Sequence, residues 1–319
     1  MAARRRLSGH VIRTPLVRSL WLSAETGADV FLKLESLQIT NSFKLRGAWN
    51  AAQMLLERLS PGEPPPALVT ASAGNHGRAL AYAAERLGLR ATVFTPRDAP
   101  RTKLEAITRH GADLRAEATT YEDSERLAKQ FAAATGTRYL SPYSHPDLLA
   151  GIGTIGVEIL EDLPDADTIV VPVGGGGLIS GVAAVMKAVS PGVAVIGVEA
   201  EASHPFTSSL AAGRIVEVEV GPTLADGLAG NMDPETMTFA LVQQLVDRIV
   251  LVGEEHLAEG IRALVAHEHL IAEGAGAAGV GAVLGGRIDV RGRRVVVLVT
   301  GSNIDAEKLA EVLSSAPRP

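Results

Sequence analysis

Thr168-Ile169-Val170-Val171-Pro172-Val173-Gly174-Gly175-Gly176-Gly177-Leu178 runs from a short apolar segment, through four glycines, into a segment with helical patterning that ends at Val189. The apolar part reads as a buried strand, Thr168–Pro172, and the glycines as the turn into a helix starting at Leu178. Four residues without Cβ let the backbone approach a ligand and aim its N–H groups at one point. The helix N-terminus behind them adds its positive dipole end, so an anionic group such as phosphate suits the loop. The spacing does not match G-x-x-x-x-G-K-[ST], the loop of nucleotide triphosphatases. A glycine run can also be a flexible linker, a reading that its two apolar flanks disfavour.

Working outward, the same alternation repeats. Strands are predicted over Val30–Lys33, Ala67–Thr70, Ala91–Thr95, Val193–Glu199 and Val295–Thr300. Helices are predicted over Phe43–Leu59, Gly77–Leu87, Ala99–His110, Asp123–Thr135 and Leu178–Val189. Short apolar strands separated by amphipathic helices imply an α/β protein with parallel sheets. Val295–Val299 is continuously apolar, as expected of a central strand covered on both faces. Residues 47–145 contain their own strand–helix units and read as a lobe inserted into a larger sheet, with Pro142 and Pro146 flanking the return crossing.

Composition narrows the chemistry. Of 319 residues, 46% are hydrophobic and 21% charged, an ordinary globular balance, and only 4% are aromatic. A net charge of −6 argues against a nucleic-acid surface. The chain has no cysteine, which excludes disulfides, thiolate chemistry and Cys-ligated zinc. Its apolar stretches, Val295–Val299 among them, are far too short to span a bilayer. The basic start, with Arg4–Arg6, lacks the apolar run of a secretory signal and reads as a solvated, frayed terminus in a cytoplasmic protein.

Three more loops stand where strands meet helices, the usual place for ligands in open α/β sheets. Asn41-Ser42-Phe43-Lys44-Leu45-Arg46-Gly47-Ala48 sets a lysine among apolar neighbours. A desolvated lysine has a lowered pKa and attacks an aldehyde as the neutral amine. In isolation it also reads as a surface helix lysine, with Ser42 as a helix cap. Ser72-Ala73-Gly74-Asn75-His76-Gly77 is small and rich in donors, fit to hold a carboxylate; alternatively Ser72 or Asn75 is a cap and His76 a packed turn residue. Thr300-Gly301-Ser302-Asn303 ends the last apolar strand and, taken alone, is an unremarkable turn.

Together the four loops resemble the tryptophan-synthase-β-like (fold type II) pyridoxal-phosphate enzymes, and among them the threonine/serine dehydratase and serine racemase family. S-F-K-x-R-G-A, S-A-G-N-H-G, the tetraglycine loop and T-G-S-N stand in the family's order and at its separations. Gly151-Ile152-Gly153-Thr154 resembles its G-Q-G-T, and Ala225-Asp226-Gly227 its A-D-G. The resemblance implies a two-lobed, three-layer α/β/α fold with mostly parallel twisted sheets. It divides the chain into a large cofactor-binding domain, 1–46 with 146–319, and a small substrate-side domain, 47–145. No C-terminal regulatory domain is expected after the Thr300 loop.

The resemblance also implies roles. Lys44 carries pyridoxal 5'-phosphate as a Schiff base and acts as the base at the substrate Cα. Phe43 lies on the cofactor ring, Asn75 bonds its hydroxyl, Gly174, Gly175, Gly176, Gly177 and Leu178 cradle its phosphate, and Thr300 bonds its ring nitrogen. Gly227 and Glu273 complete the cofactor set. Ser72, Ala73, Gly74, Asn75 and His76 hold the substrate carboxylate. The implied activity is dehydration and deamination of a β-hydroxy amino acid, foremost L-threonine or L-serine, by a homodimer. Specialised hydroxy- or diamino-acid intermediates, serine racemisation and a non-catalytic cofactor-binding relative are the alternatives. Racemisation needs a proton donor opposite the lysine, where this sequence has Ala73.

Three departures from the pattern matter. Asn41 replaces the glycine usual before Ser-Phe-Lys, and Ile152 replaces a glutamine. Glu199 is followed by Ser203 and Pro205, so the divalent-metal site of some members lacks its second carboxylate; no metal is expected, beyond a monovalent ion at Glu199 and Ser203.

Overall fold

The computed structural model describes residues 1–72, 74–99 and 101–315. Among the described residues ten strands alternate with helices: β1 (Leu16–Arg18), β2 (Asp29–Leu34), β3 (Leu68–Ala71), β4 (Ala91–Pro96), β5 (Asp113–Ala118), β6 (Arg138–Tyr139), β7 (Thr168–Pro172), β8 (Ala194–Ala200), β9 (Arg248–Val252) and β10 (Arg294–Val299). They form two sheets. One has six strands in the order β1-β2-β10-β7-β8-β9, the other four in the order β5-β4-β3-β6. Every pairing is parallel except that of β1 with β2.

The larger sheet is covered on both faces, which makes three layers. Side chains of a strand alternate between faces, and here the alternation sorts them into two cores. Val295, Val297 and Val299 join one cluster with Val30, Leu32 and Val170. Val296 and Leu298 join the other with Ile169, Val171 and Val195. All five residues from Val295 to Val299 are fully buried, each worth about 1.5–3 kcal/mol relative to exposure.

Lys44 sits on the first turn of the helix Lys44–Glu57, and its placement depends on a buried charge cluster. Arg46 is fully buried and grips two carboxylates. Its Nε and Nη2 donate to Glu35 at 2.9 and 2.8 Å, and its Nη1 and Nη2 donate to Glu158 at 2.7 and 2.9 Å. Lys33 on β2 donates to the same Glu158 at 2.6 Å and to the Thr14 carbonyl at 2.7 Å. Two cations and two anions cancel, so the group tolerates a dry interior. Burial pulls the Arg46 pKa down, but Glu35 and Glu158 overcome it and hold the pKa above its ordinary value.

Glycines let the neighbouring helices close on this cluster. A Cβ on Gly151 would lie 2.3 Å from the Arg46 carbonyl oxygen. That contact explains why the Gly151-Ile152-Gly153-Thr154 segment begins with glycine.

Two local expectations are corrected. The basic terminus is not frayed: Ala2–Leu7 is helical, with Leu7 buried, Arg6 paired to Glu57 at 2.7 Å and Arg4 paired to Glu161. Ala3 and Leu7 fall one turn apart on one face and dock it. Ser42 is not a helix cap, since Phe43 occupies that position without a side-chain bond and the Ser42 hydroxyl is buried without a partner.

Removing Glu158 leaves buried Lys33 with no carboxylate and Arg46 with Glu35 alone. Glu158→Ala is expected to lower the unfolding free energy by about 3–5 kcal/mol, read from denaturant titration. A loss below about 1 kcal/mol, the level of an exposed pair, would mean that the cluster does not anchor the helix.

Candidate active site

A cavity of about 300 Å³ opens where strands of both sheets end. Ala71 ends β3, Pro96 ends β4 and Pro172 ends β7, while Thr300 directly follows β10; all four line it. Carboxyl ends of parallel strands are where such sheets bind ligands. The cavity brings together Phe43, Lys44, Ser72, Gly74, Asn75, His76, the tetraglycine loop, Leu178, Gly227, Glu273 and Thr300. Ala73 lies outside the described residues.

The Lys44 loop is stitched to the end of β10. Phe43 N–H donates to the Thr300 carbonyl at 3.1 Å, and Ser302 N–H donates to the Asn41 carbonyl at 2.9 Å. Asn41 has φ +58°, a left-handed turn that asparagine tolerates better than most residues. Lys44 Nζ donates to the Pro142 carbonyl at 2.8 Å and lies 5.2 Å from the centre of the Phe43 ring.

Burial lowers the Lys44 pKa to about 8, against the opposing pull of Glu273. Burial and the charge of Asp226 push Glu273 up to about 7, while a 2.6 Å hydrogen bond from Asn75 Nδ2 pulls it back. Asn303 Nδ2 donates to Asn75 Oδ1 at 2.6 Å, which fixes which way the Asn75 amide points. His76 is buried, and burial together with Lys44 holds its pKa down near 3, so it is neutral at pH 7. A hydrogen bond with the Leu140 backbone opposes that shift without overcoming it. Thr300 makes a long contact, 3.4 Å, to the Ala275 carbonyl.

The glycine loop passes the test of a phosphate cradle. Gly176 has φ +79° and caps the helix Gly177–Val189 with no side-chain bond, which leaves first-turn N–H groups without a carbonyl one turn earlier. A Cβ on Gly175 would meet the Tyr143 ring at 2.4 Å, and one on Gly176 would meet Phe206 at 2.4 Å. Packing against Tyr143 and Phe206 therefore excludes side chains from these two positions and leaves bare backbone facing the cavity. The lysine, the glycine cradle and the neutral Thr300 hydroxyl fit pyridoxal phosphate.

Glu199 stands elsewhere. Its carboxylate accepts from Phe206 N–H at 2.8 Å, Thr207 N–H at 2.9 Å and the Thr207 hydroxyl at 2.6 Å, and so caps the helix Pro205–Ala212. Ser203 Oγ accepts from Gly230 N–H at 3.1 Å. Lys103, Tyr121, Tyr143 and Asn231 also line the cavity and carry no role in the sequence analysis, and Asp226 appears there only as part of a motif. Lys103 and Tyr121 sit on ordinary surface-patterned helices, and Tyr143 in a short connection, so no periodic signal marks them. Asp226 lies within the A-D-G motif.

The comparisons agree with this geometry. The family described as "Pyridoxal-phosphate dependent enzyme" matches residues 7–301. The L-threonine ammonia-lyase of Thermotoga maritima is 43% identical over 312 residues, 98% of this chain and 76% of that protein. The structure of maize serine racemase superposes with a TM-score of 0.89 at 31% identity, covering 98% of this chain and 95% of the other. A pyridoxal 5'-phosphate-dependent aspartate racemase superposes with a TM-score of 0.90 at 31% identity, covering 97% and 95%. With its lysine, glycine cradle and neutral hydroxyl around one cavity, the chain belongs to the pyridoxal-phosphate dependent enzyme family.

Proposed function

We propose that the chain is an ammonia-lyase that converts L-threonine or L-serine into a 2-oxo acid and ammonia. The observation that carries this reading is Lys44, a lysine with its pKa lowered to about 8, in one cavity with the glycine cradle and the Ser72–His76 carboxylate loop. The threonine ammonia-lyase relative supports threonine as the substrate, and the serine racemase neighbour keeps serine beside it.

Bound pyridoxal phosphate supplies an electron sink for charge developing at the substrate Cα. Lys44 would hold it through the amine, Gly174–Leu178 through the phosphate, Phe43 through the ring face, Asn75 through the hydroxyl and Thr300 through the ring nitrogen. Gly227 and Glu273 complete that wall. A hydroxyl at Thr300, unlike a carboxylate, does not hold a proton on that nitrogen, which favours elimination over transamination.

The start of the helix Asn75–Leu87 favours an anion. Ser72, Gly74, Asn75 and neutral His76 orient the substrate carboxylate there. The neutral fraction of Lys44 takes the Cα proton as the β-hydroxyl departs. The family resemblance would put Ala73 where racemases carry a proton donor, and a methyl group offers none, so racemisation is at most a side activity. The proposal includes two domains, 1–46 with 146–319 and 47–145, supported by the two separate sheets. On family resemblance we add a homodimer and a cytoplasmic location. Among the described residues, no helix is long and apolar enough to cross a membrane.

Lys44→Ala is expected to cost more than the roughly 10²–10⁴-fold of losing a general base alone, measured as 2-oxo acid release from L-threonine and L-serine. Near-normal turnover would remove Lys44 from the mechanism. The lowered pKa makes a second prediction. In protein stripped of cofactor, the deprotonated amine is the nucleophile, so reloading should accelerate with pH and level off above about pH 8. The visible absorbance of bound cofactor follows the rate; a midpoint at the ordinary lysine value would contradict the desolvation argument.

A further inference from the structure

The cavity is lined by three side chains that can carry positive charge among the described residues: Lys44, His76 and Lys103. Under the proposed function Lys44 is engaged with the cofactor. Burial keeps His76 neutral. Lys103, on the helix Arg101–Thr108, is ion-paired with Asp226. The pair joins a helix packed on the four-stranded sheet to the loop after the helix Pro205–Ala212, in the lobe of the six-stranded sheet. The Lys103 side chain is 18% exposed and that of Asp226 50%, so the ammonium is largely covered and its partner meets solvent. Against this one paired cation stand two acids, Asp226 and Glu273, both lining the cavity.

Charge balance then bears on the substrate's side chain. An α-carboxylate has the Ser72–His76 loop and its helix N-terminus. A second carboxylate on Cβ would find no unpaired cation among the described lining residues and would sit near two acids. Like charges brought together in a partly desolvated site cost several kcal/mol. The fold itself does not exclude such substrates, since an aspartate racemase shares it. Exclusion therefore needs a local cause.

We infer that the Lys103–Asp226 pair sets side-chain specificity: Asp226 neutralises Lys103, so the cavity takes β-hydroxy amino acids with uncharged side chains and turns away 3-hydroxyaspartate. This deepens the proposed function and rests on it. Asp226 acts through Lys103, as a positioning residue. Replacing it by asparagine keeps the shape and releases the ammonium toward the cavity.

The test compares the wild-type holoenzyme with Asp226→Asn, Lys103→Met and the double variant. Each is assayed for 2-oxo acid release from L-serine and from erythro-3-hydroxy-L-aspartate, and titrated calorimetrically with succinate, an unreactive dicarboxylate. The wild type should prefer L-serine by at least about 100-fold, the scale of an uncompensated charge. Asp226→Asn should raise the hydroxyaspartate-to-serine ratio of kcat/KM about tenfold, through KM, and tighten succinate binding by a similar factor. Adding Lys103→Met should abolish both gains. Serine turnover with an unmoved ratio and unmoved succinate binding would overturn the inference, as would a wild type that takes both substrates equally. If neither amino acid is turned over, the proposed function fails, and the succinate series alone then decides whether Asp226 masks Lys103.

Discussion

The grip of Arg46 on Glu35 and Glu158 is the constraint on which the site depends. A guanidinium with no solvent contact needs its donors filled, and two carboxylates plus the Thr154 hydroxyl and the Ile12 carbonyl fill them. Those partners come from the segment before β1, the turn after β2 and the helix Thr154–Asp162. One side chain, two residues from Lys44, thereby fixes the first turn of the lysine's helix against the large sheet. A hydrophobic substitute could be as stable, but it would not specify orientation in the same way. The lysine's position is therefore a consequence of charge satisfaction in the interior.

Once Lys44 is placed, the cavity tunes it by desolvation more than by neighbours. The acid that opposes this, Glu273, is itself shifted upward, so near neutral pH neither group is firmly committed to its charged form. Such a pair suits a site that must change protonation during turnover. Asn75 holds Glu273 by a 2.6 Å hydrogen bond and is itself oriented by a 2.6 Å hydrogen bond from Asn303. The Lys103–Asp226 pair adds a contact between elements of the two sheets at the same cavity.

Much of this was legible in the sequence because the fold relies on strong local signals. The continuous apolar character of Val295–Val299 gave a central strand, and β10 does lie between β2 and β7. The tetraglycine turn was readable because close packing forbids any side chain there. Other parts were hidden for physical reasons. Gly274–Leu284 is helical although rich in glycine, which disfavours helices. Its glycines are imposed by neighbours: a Cβ on Gly281 would lie 2.2 Å from the His256 carbonyl oxygen, and one on Gly276 would lie 2.3 Å from that of Gly301. β1 has three residues and β6 two, too short for periodicity to mark. β9 carries an apolar run, Ile249–Val252, to which the sequence reading assigned no element. The partners of Lys103 and Arg46 are distant in sequence, and spacing alone does not pair such charges.

The central claim is that one lysine, at one depth in the cavity, carries the cofactor. The direct measurement is borohydride reduction of the holoenzyme, followed by proteolysis and mass spectrometry of the modified peptide. The account predicts a single cofactor-bearing peptide containing Asn41-Ser42-Phe43-Lys44, with Lys44 as the modified residue. Modification of Lys103, Lys33 or any other lysine in place of Lys44, or no covalent attachment at all, would contradict it.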